Sequence, residues 1–221
     1  MLLITPHIPL FFSIILFVSA VLLHLVKKNS SAVYLYVLQS SAVSVLLALS
    51  FIEHFYVTAL IALLATIAAK MIFAPYFLGR FIRENQLRFL ESVYLTTSVT
   101  LLVLALFVAL AFSRFFAPLA LLSTSSPTLV MLSIATLLTS IFLLVNRKDA
   151  ISQTLGVLSI ENSIVAFAVV ANLEPNPALQ LGITFNIFVW VTIAMIFLRM
   201  IYTQFGSLDI TSMKNVSEIT Q

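Results

Sequence analysis

Residues 8–26 read IPLFFSIILFVSAVLLHLV, a run with no acidic residue, lysine or arginine, and it stops at Lys27-Lys28. An uninterrupted apolar run of about 18 residues or more is long enough to cross the hydrocarbon core of a bilayer as a helix. The same reading repeats along the chain. A second run covers 32–52 and ends at Glu53-His54. A third, 55–78, carries Lys70 and Pro75 and leads into Arg80, Arg83 and Arg88. The fourth is 93–112, followed by a proline- and serine-containing link over 113–126. The fifth, 127–145, is closed by Asn146-Arg147-Lys148-Asp149. The sixth, 150–170, holds Glu161, and a loop with Asn172, Glu174, Pro175 and Pro177 leads to the last, 178–200. The expected fold class is all-α, a polytopic transmembrane bundle of about seven helices.

Composition agrees with lipid as the solvent. Of 221 residues, 62% are hydrophobic and 9% charged, and the mean hydropathy is +1.16. Soluble domains are about half apolar and about one quarter charged. A chain of this kind cannot hide its apolar surface in water. There is no cysteine, which excludes disulfides, thiolate metal ligands, iron–sulfur ligation and cysteine nucleophiles. None of the four glycines stands in a phosphate-cradling pattern. His7, His24 and His54 are too scattered to suggest a metal centre.

The net charge of +3 reports topology rather than a nucleic-acid partner. With the N-terminus outside, Lys27, Lys28, Arg80, Arg83, Arg88, Arg147, Lys148, Arg199 and Lys214 all fall in inner segments, and only Arg114 falls in an outer one. Lysine and arginine collect on the cytoplasmic side. The expected orientation is N-terminus out and C-terminus cytoplasmic, in the cell membrane. The first run has no charged stretch before it and no clear small-residue cleavage site before Lys27, so it is expected to stay as the first helix.

Two residues sit where the bilayer penalises them. An ionisable side chain near mid-membrane costs about 2.5–3.5 kcal/mol on insertion scales. Glu161 lies near the centre of its run, and Lys70 lies about 12–15 Å from the inner end of its run at 1.5 Å per residue. Neither side chain readily reaches the interface from there. Desolvation disfavours the charged form of both, so both are candidates for a protonatable relay. The alternative is that each fixes a helix interface as a buried pairing residue. Supporting polar positions are Thr66, one turn before Lys70, then Asn162 beside Glu161, Gln39 in the second run, and Asn186 in the last. For Gln39 and Asn186 an interhelical hydrogen bond and a place on a proton path are equally open. Pro75 removes the backbone bond to the Met71 carbonyl, so a kink is expected beside Lys70. Trp190 is too deep for an interfacial belt and reads as a packing residue.

An internal echo is also visible. The stretch Tyr36-Val37-Leu38-Gln39-Ser40 follows a basic link much as Val157-Leu158-Ser159-Ile160-Glu161-Asn162 does, which places Gln39 where Glu161 stands.

From about Met131 onward the chain resembles the K subunit of bacterial complex I and the C subunit of Mrp-type cation/proton antiporters. The resemblance rests on the link Asn146-Arg147-Lys148, the run Leu155-Gly156-Val157-Leu158-Ser159-Ile160-Glu161-Asn162-Ser163, and the tail from Leu208-Asp209-Ile210 to Val216-Ser217-Glu218-Ile219. The whole chain is similar to hydrogenase-4 component E, through the same stretch, Ile67-Ala68-Ala69-Lys70-Met71-Ile72-Phe73-Ala74-Pro75, and Gly206-Ser207-Leu208-Asp209. The resemblance implies two regions, a four-helix transmembrane part over 1–126 and a K-like three-helix unit with a short cytoplasmic tail over 127–221. It also implies a cofactor-free, non-catalytic membrane subunit of a hydrogenase-like or NADH dehydrogenase-like oxidoreductase. Implied partners are antiporter-like membrane subunits and peripheral iron–sulfur or nickel–iron subunits. Glu161 matches the family's first intramembrane glutamate, and Lys70 the lysine of the extra helices. The chain departs from the pattern in its last helix. Trp190 stands where complex I K subunits carry a second glutamate, and Asn186 where hydrogenase-4 component E can carry an aspartate.

Three functions follow as expectations. The first is proton or sodium translocation within such an assembly through Glu161 and Lys70. A second is a structural linker between larger membrane subunits. The third is a stand-alone transporter or membrane enzyme, which lacks support from a nucleophile–base pair, metal-ligand spacing or broken mid-span helices.

Overall fold

The computed structural model describes residues 7–53, 57–87, 93–121, 126–171, 173, 177–206 and 208, all of them helix or short connection. The helices are α1 (His7–Leu25), α2 (Asn29–Glu53), α3 (57–84), α4 (Thr97–Ala111), the single turn α5 (Ala117–Ala120), α6 (Pro127–Asn146), α7 (Ala150–Val170) and α8 (Pro177–Phe205). The α3 helix is continuous but not uniform: Val57–Ile67 and Ala74–Glu84 are α-helical, and Ala68–Phe73 between them is a π-helix. Five of these are long and apolar enough to cross a membrane: α1, α2, α6, α7, and α3 over Leu63–Glu84. Two shorter apolar helices, Thr97–Ala111 and Phe188–Gln204, coincide with the fourth and seventh runs of the sequence.

Local chemistry sets the boundaries. Pro127 opens α6 at a position where its missing N–H costs nothing, after an extended Ser126. Asp149 caps α7, accepting from the Ser152 N–H at 2.8 Å. Val93 bridges to Arg147, and the Tyr94 and Leu95 N–H groups donate to the Asn146 carbonyl and its side-chain oxygen at 3.0 and 3.1 Å. That pairing holds residues 93–96 outside the helix, so α4 begins later than the hydropathy pattern predicts. The α3 and α8 helices instead run past their apolar stretches to Glu84 and Phe205.

The packing is a ring of four helices in which α1 touches α2, α2 touches α7, α7 touches α6, and α6 returns to α1. Helix α3 docks on α2 with α8 against its other side, and α4 docks on α6. The tightest contact is between α6 and α7. A Cβ built on Gly156 would lie 3.0 Å from the Leu144 Cα, so glycine permits the two backbones to approach. Buried Leu16, Val43, Leu46 and Ala166 fill one part of the core, and Tyr36, Leu78, Phe81, Leu143, Leu155 and Leu198 fill another.

The helix ends that carry lysine and arginine meet at one end of the bundle. Asn29 donates to the Leu87 carbonyl at 2.9 Å, Tyr202 to the Asn85 carbonyl at 3.3 Å, and the Ala150 N–H to the Leu208 carbonyl at 3.4 Å. Lys27, Lys28, Arg80, Arg83, Arg147, Lys148 and Arg199 therefore share that end. Arg88 and Lys214 lie outside the described residues. The opposite surface character runs along the sides of the bundle, where Leu102, Leu106, Phe185, Ile196 and Phe197 are exposed. In water such faces are unfavourable, whereas hydrocarbon solvates them at no cost.

Arg147 departs from its sequence reading. It is 3% exposed. Its guanidinium donates to the carbonyls of Leu23, His24 and Val26 at 2.8–3.0 Å, which closes the C-terminus of α1 with a cation. It acts as an internal clamp between α6 and α1 rather than as a free surface charge. Burial pushes its guanidinium below the usual range, opposed by the Asp149 charge. Burial likewise pushes the Asp149 carboxyl above the usual carboxylate range, offset in part by the Ser152 N–H. A carboxyl whose pKa is raised on folding favours the folded state at low pH and loses that contribution as pH rises through its folded value. Asp149→Asn, which keeps a capping oxygen and has no charge to desolvate, is expected to match or exceed the native stability at pH 7. Asp149→Ala is expected to lose about 0.5–2 kcal/mol with the cap. Thermal midpoints of the two variants in detergent at pH 5 and pH 7.5 check this.

Candidate functional site

Lys70 lies near the midpoint of α3, inside the π-helical segment, and is 0% exposed. The segment explains itself from Pro75. Proline has no N–H to give to the carbonyl four residues back, and its ring collides with that carbonyl in a regular helix. Widening the preceding turn relieves the collision: the Ala74 N–H donates to Ala69, five residues back, instead of to Lys70. The expected kink is thus absorbed as a π-turn, a form that recurs at functional positions.

The ammonium of Lys70 donates to Asn162 Oδ1 on α7 at 2.8 Å. Asn162 Nδ2 donates in turn to Ser40 Oγ at 3.1 Å and Gln39 Oε1 at 3.5 Å on α2. Gln39 Nε2 donates to Ser159 Oγ at 2.7 Å, and Ser159 shares a hydrogen with Ser140 of α6 at 2.8 Å. Ser140 also meets Ser163 at 3.1 Å and donates to the Thr136 carbonyl at 2.9 Å. Lys70, Asn162, Gln39, Ser40, Ser159, Ser140 and Ser163 are all fully enclosed. The result is a polar network joining α3, α7, α2 and α6 at mid-height of an apolar bundle. Thr66, one turn before Lys70, is buried beside it.

Glu161 occupies a different place from the one its sequence position suggests. It is half-buried, one residue round from Asn162, and its Oε1 is enclosed without a hydrogen-bond partner. Glu161 and Lys70 make no ion pair within 4.0 Å, the described ion pairs being Arg80–Glu84 and Arg199–Glu84. They are nevertheless close enough for each charge to act on the other. The neutral amide of Asn162, rather than the carboxylate, holds the ammonium. Buried Tyr36 extends the same neighbourhood, with its hydroxyl turned toward Ser40 and within Coulombic reach of Glu161.

The arrangement places two titratable groups, Lys70 and Glu161, in one neighbourhood, and the hydroxyls of Ser40, Ser159, Ser140 and Ser163, which can both donate and accept, extend the network on the Lys70 side while Glu161 Oε1 stays outside it. Amides of Asn162 and Gln39 fix the geometry but do not titrate. Sequence reading found Lys70, Asn162, Gln39 and Thr66, and the structure brings these together. It missed the serines. Their signal is spacing: Ser152, Gly156, Ser159 and Ser163 fall at i, i+4, i+7 and i+11, one small-residue face of α7.

The last helix contributes little that is described. The side chain of Asn186 lies outside the described residues. Trp190 is 45% exposed rather than enclosed in a packed interior. The buried stripe of α8 carries Val191, Ala194 and Leu198, and Trp190 lies at the edge of that stripe. His24 Nε2 donates to the Thr139 carbonyl at 3.0 Å, and the ring stacks on Phe142. Among the described residues no group of three histidine, aspartate or glutamate side chains is placed to hold a metal ion.

Comparison with protein-family models, with curated proteins and with solved structures gives no match for this chain.

Proposed function

We propose that the chain is a small membrane-arm subunit of a hydrogenase-4-like or complex I-related oxidoreductase in the cell membrane, where it helps move protons or sodium ions through Glu161 and Lys70. In this reading seven helices cross the bilayer, with the N-terminus outside and the basic end of the bundle in the cytoplasm. The observation that carries it is the fully buried Lys70 ammonium, held by a neutral amide in a π-helical turn, with a half-buried carboxylate in electrostatic range. An intramembrane charge without an ion-pair partner is expensive and is retained where it works. Protonation of Glu161 changes the field at Lys70, and loss of a proton from Lys70 changes the field at Glu161. Each event therefore biases the other, which is the coupling that a charge-driven relay requires. The outer part of the path, beyond the last helix, is supplied by water or by an adjacent antiporter-like subunit.

Glu161→Gln tests this assignment. The amide matches the carboxyl in shape and cannot titrate. The variant is expected to assemble normally and to slow ion movement by about 100-fold, the scale lost when a positioned proton carrier is removed. Ion uptake by reconstituted vesicles, normalised to the redox rate, is the measurement.

One observation favours a second reading, the structural linker. Every hydrogen-bonding atom of Asn162 and Gln39 described above has a partner inside the chain, as expected of polar residues that fix helix register. Under that reading Glu161→Gln leaves ion movement unchanged.

A further inference from the structure

A groove of about 260 Å³ runs between α3 and α8 on the outer face of the bundle, lined by Phe73, Phe77, Val191, Met195, Ile196 and Arg199, with Thr192 beside them. At Phe77, Met195 and Arg199 it meets a second hollow of about 120 Å³ bounded by Arg80, Phe81 and Glu84. The first is apolar, and the second carries two guanidiniums. Arg80 and Arg199 both reach Glu84, at 2.6 and 3.6 Å, and their side chains remain more than half exposed. Two cations around one carboxylate leave a net positive mouth. A guanidinium has five N–H donors, so neither arginine is used up by this contact.

The two parts lie in a definite order along the bundle. The arginines belong to the end where the lysine- and arginine-bearing termini meet, and Phe73 and Val191 lie seven or eight residues up their helices, about 10–12 Å at 1.5 Å per residue. An apolar slot of that length below a cationic rim at the bundle end matches one ligand chemistry, a chain with an anionic head. We infer that this groove binds an anionic glycerophospholipid, with its phosphate at Arg80 and Arg199 and one acyl chain laid along Phe77, Met195, Ile196 and Phe73. Charge complementarity selects the head, and the groove selects the chain. Phe73 closes the π-helical segment that holds Lys70 and packs on Phe77 and Phe188 with ring centroids 4.6 and 4.8 Å apart. The bound chain therefore lies against the outside of the turn that carries the buried lysine.

The test is native mass spectrometry of the full chain, released from nanodiscs that contain equal phosphatidylcholine and phosphatidylglycerol. The wild type is expected to retain phosphatidylglycerol in preference to phosphatidylcholine. Arg80→Ala combined with Arg199→Ala is expected to weaken that retention by about 25-fold, about fivefold for each charge near the head group. Met195→Trp, which fills the slot and leaves both arginines in place, is expected to lower it as well. The arginines are exposed, so their removal does not threaten the fold. Equal retention of the two lipids by the wild type overturns the proposal, as does unchanged retention in the double arginine variant. Loss in the arginine variant without loss in Met195→Trp overturns the groove and leaves a surface charge effect.

Discussion

Replacing Lys70 with methionine is expected to leave the chain folded and to stop ion movement. The two effects separate because the lysine is an expensive element of the fold. Its ammonium is fully enclosed and meets a neutral amide oxygen at 2.8 Å. Methionine removes the buried charge and keeps the volume. It also strips Asn162 Oδ1 of its donor, which costs about 1–3 kcal/mol. Replacing buried ionic groups with apolar ones of similar size is neutral or stabilising by about 1–4 kcal/mol, so the two terms nearly cancel. The thermal midpoint is expected to stay close to that of the wild type. Ion movement is expected to fall by about two orders of magnitude or more, as for other positioned proton carriers. Lys70→Arg sharpens the point, because arginine keeps the charge and does not release its proton in a protein. A relay stops in both variants. An electrostatic spacer still works in the arginine variant. Vesicle ion uptake beside a thermal-stability assay distinguishes these outcomes.

Arg147→Ala is expected to do the reverse and damage the fold first. One guanidinium nitrogen serves three carbonyls at the end of α1, and no other side chain is described at those carbonyls. A cation at a helix C-terminus in a partly buried site contributes up to about 2 kcal/mol. Hydrogen bonds to charged groups contribute about 1.5–3 kcal/mol. With water near the helix end recovering part of the loss, the expected net cost is about 2–4 kcal/mol. For a chain of this size that lowers the thermal midpoint by about 5–15 °C. Arg147→Lys is expected to recover part of the loss, since a single ammonium offers three donors but not the planar fork. Arg83→Ala, on the exposed side of α3, is the control and is expected to change stability by less than about 0.5 kcal/mol. A fluorescence melting curve in detergent reads all three variants.

These two residues also mark what the sequence conveys and what it conceals. Hydropathy locates the apolar runs because lipid solvates them almost uniformly, and the all-α bundle follows. Burial of Lys70 follows too, since a lone lysine within such a run has nowhere else to be. Arg147 reads in the sequence as one more basic residue in a link, and only the approach of α1 to the start of that link turns it into a helix clamp. The direct partner of Lys70 was equally hidden. Lys70 and Glu161 invite pairing as opposite charges, but adjacent helical residues point about 100° apart, and helix rotation brings Asn162 to the ammonium instead. Pro75 announced a disturbance in α3, although a kink and a π-turn relieve the same clash. The serines at 140, 159 and 163 were overlooked because single hydroxyls are common in membrane helices, and only their shared face gives them meaning. Trp190 misled because depth alone does not distinguish the packed side of a helix from its edge.

The proposed role places the chain inside an ion-translocating redox assembly. Its most direct test is to tag the chain in its native host, extract it in mild detergent, and identify the proteins that co-purify by mass spectrometry. Stoichiometric recovery of antiporter-like membrane subunits together with iron–sulfur or nickel–iron-type subunits is the expected result. Recovery of the chain alone from well-preserved membranes would contradict it.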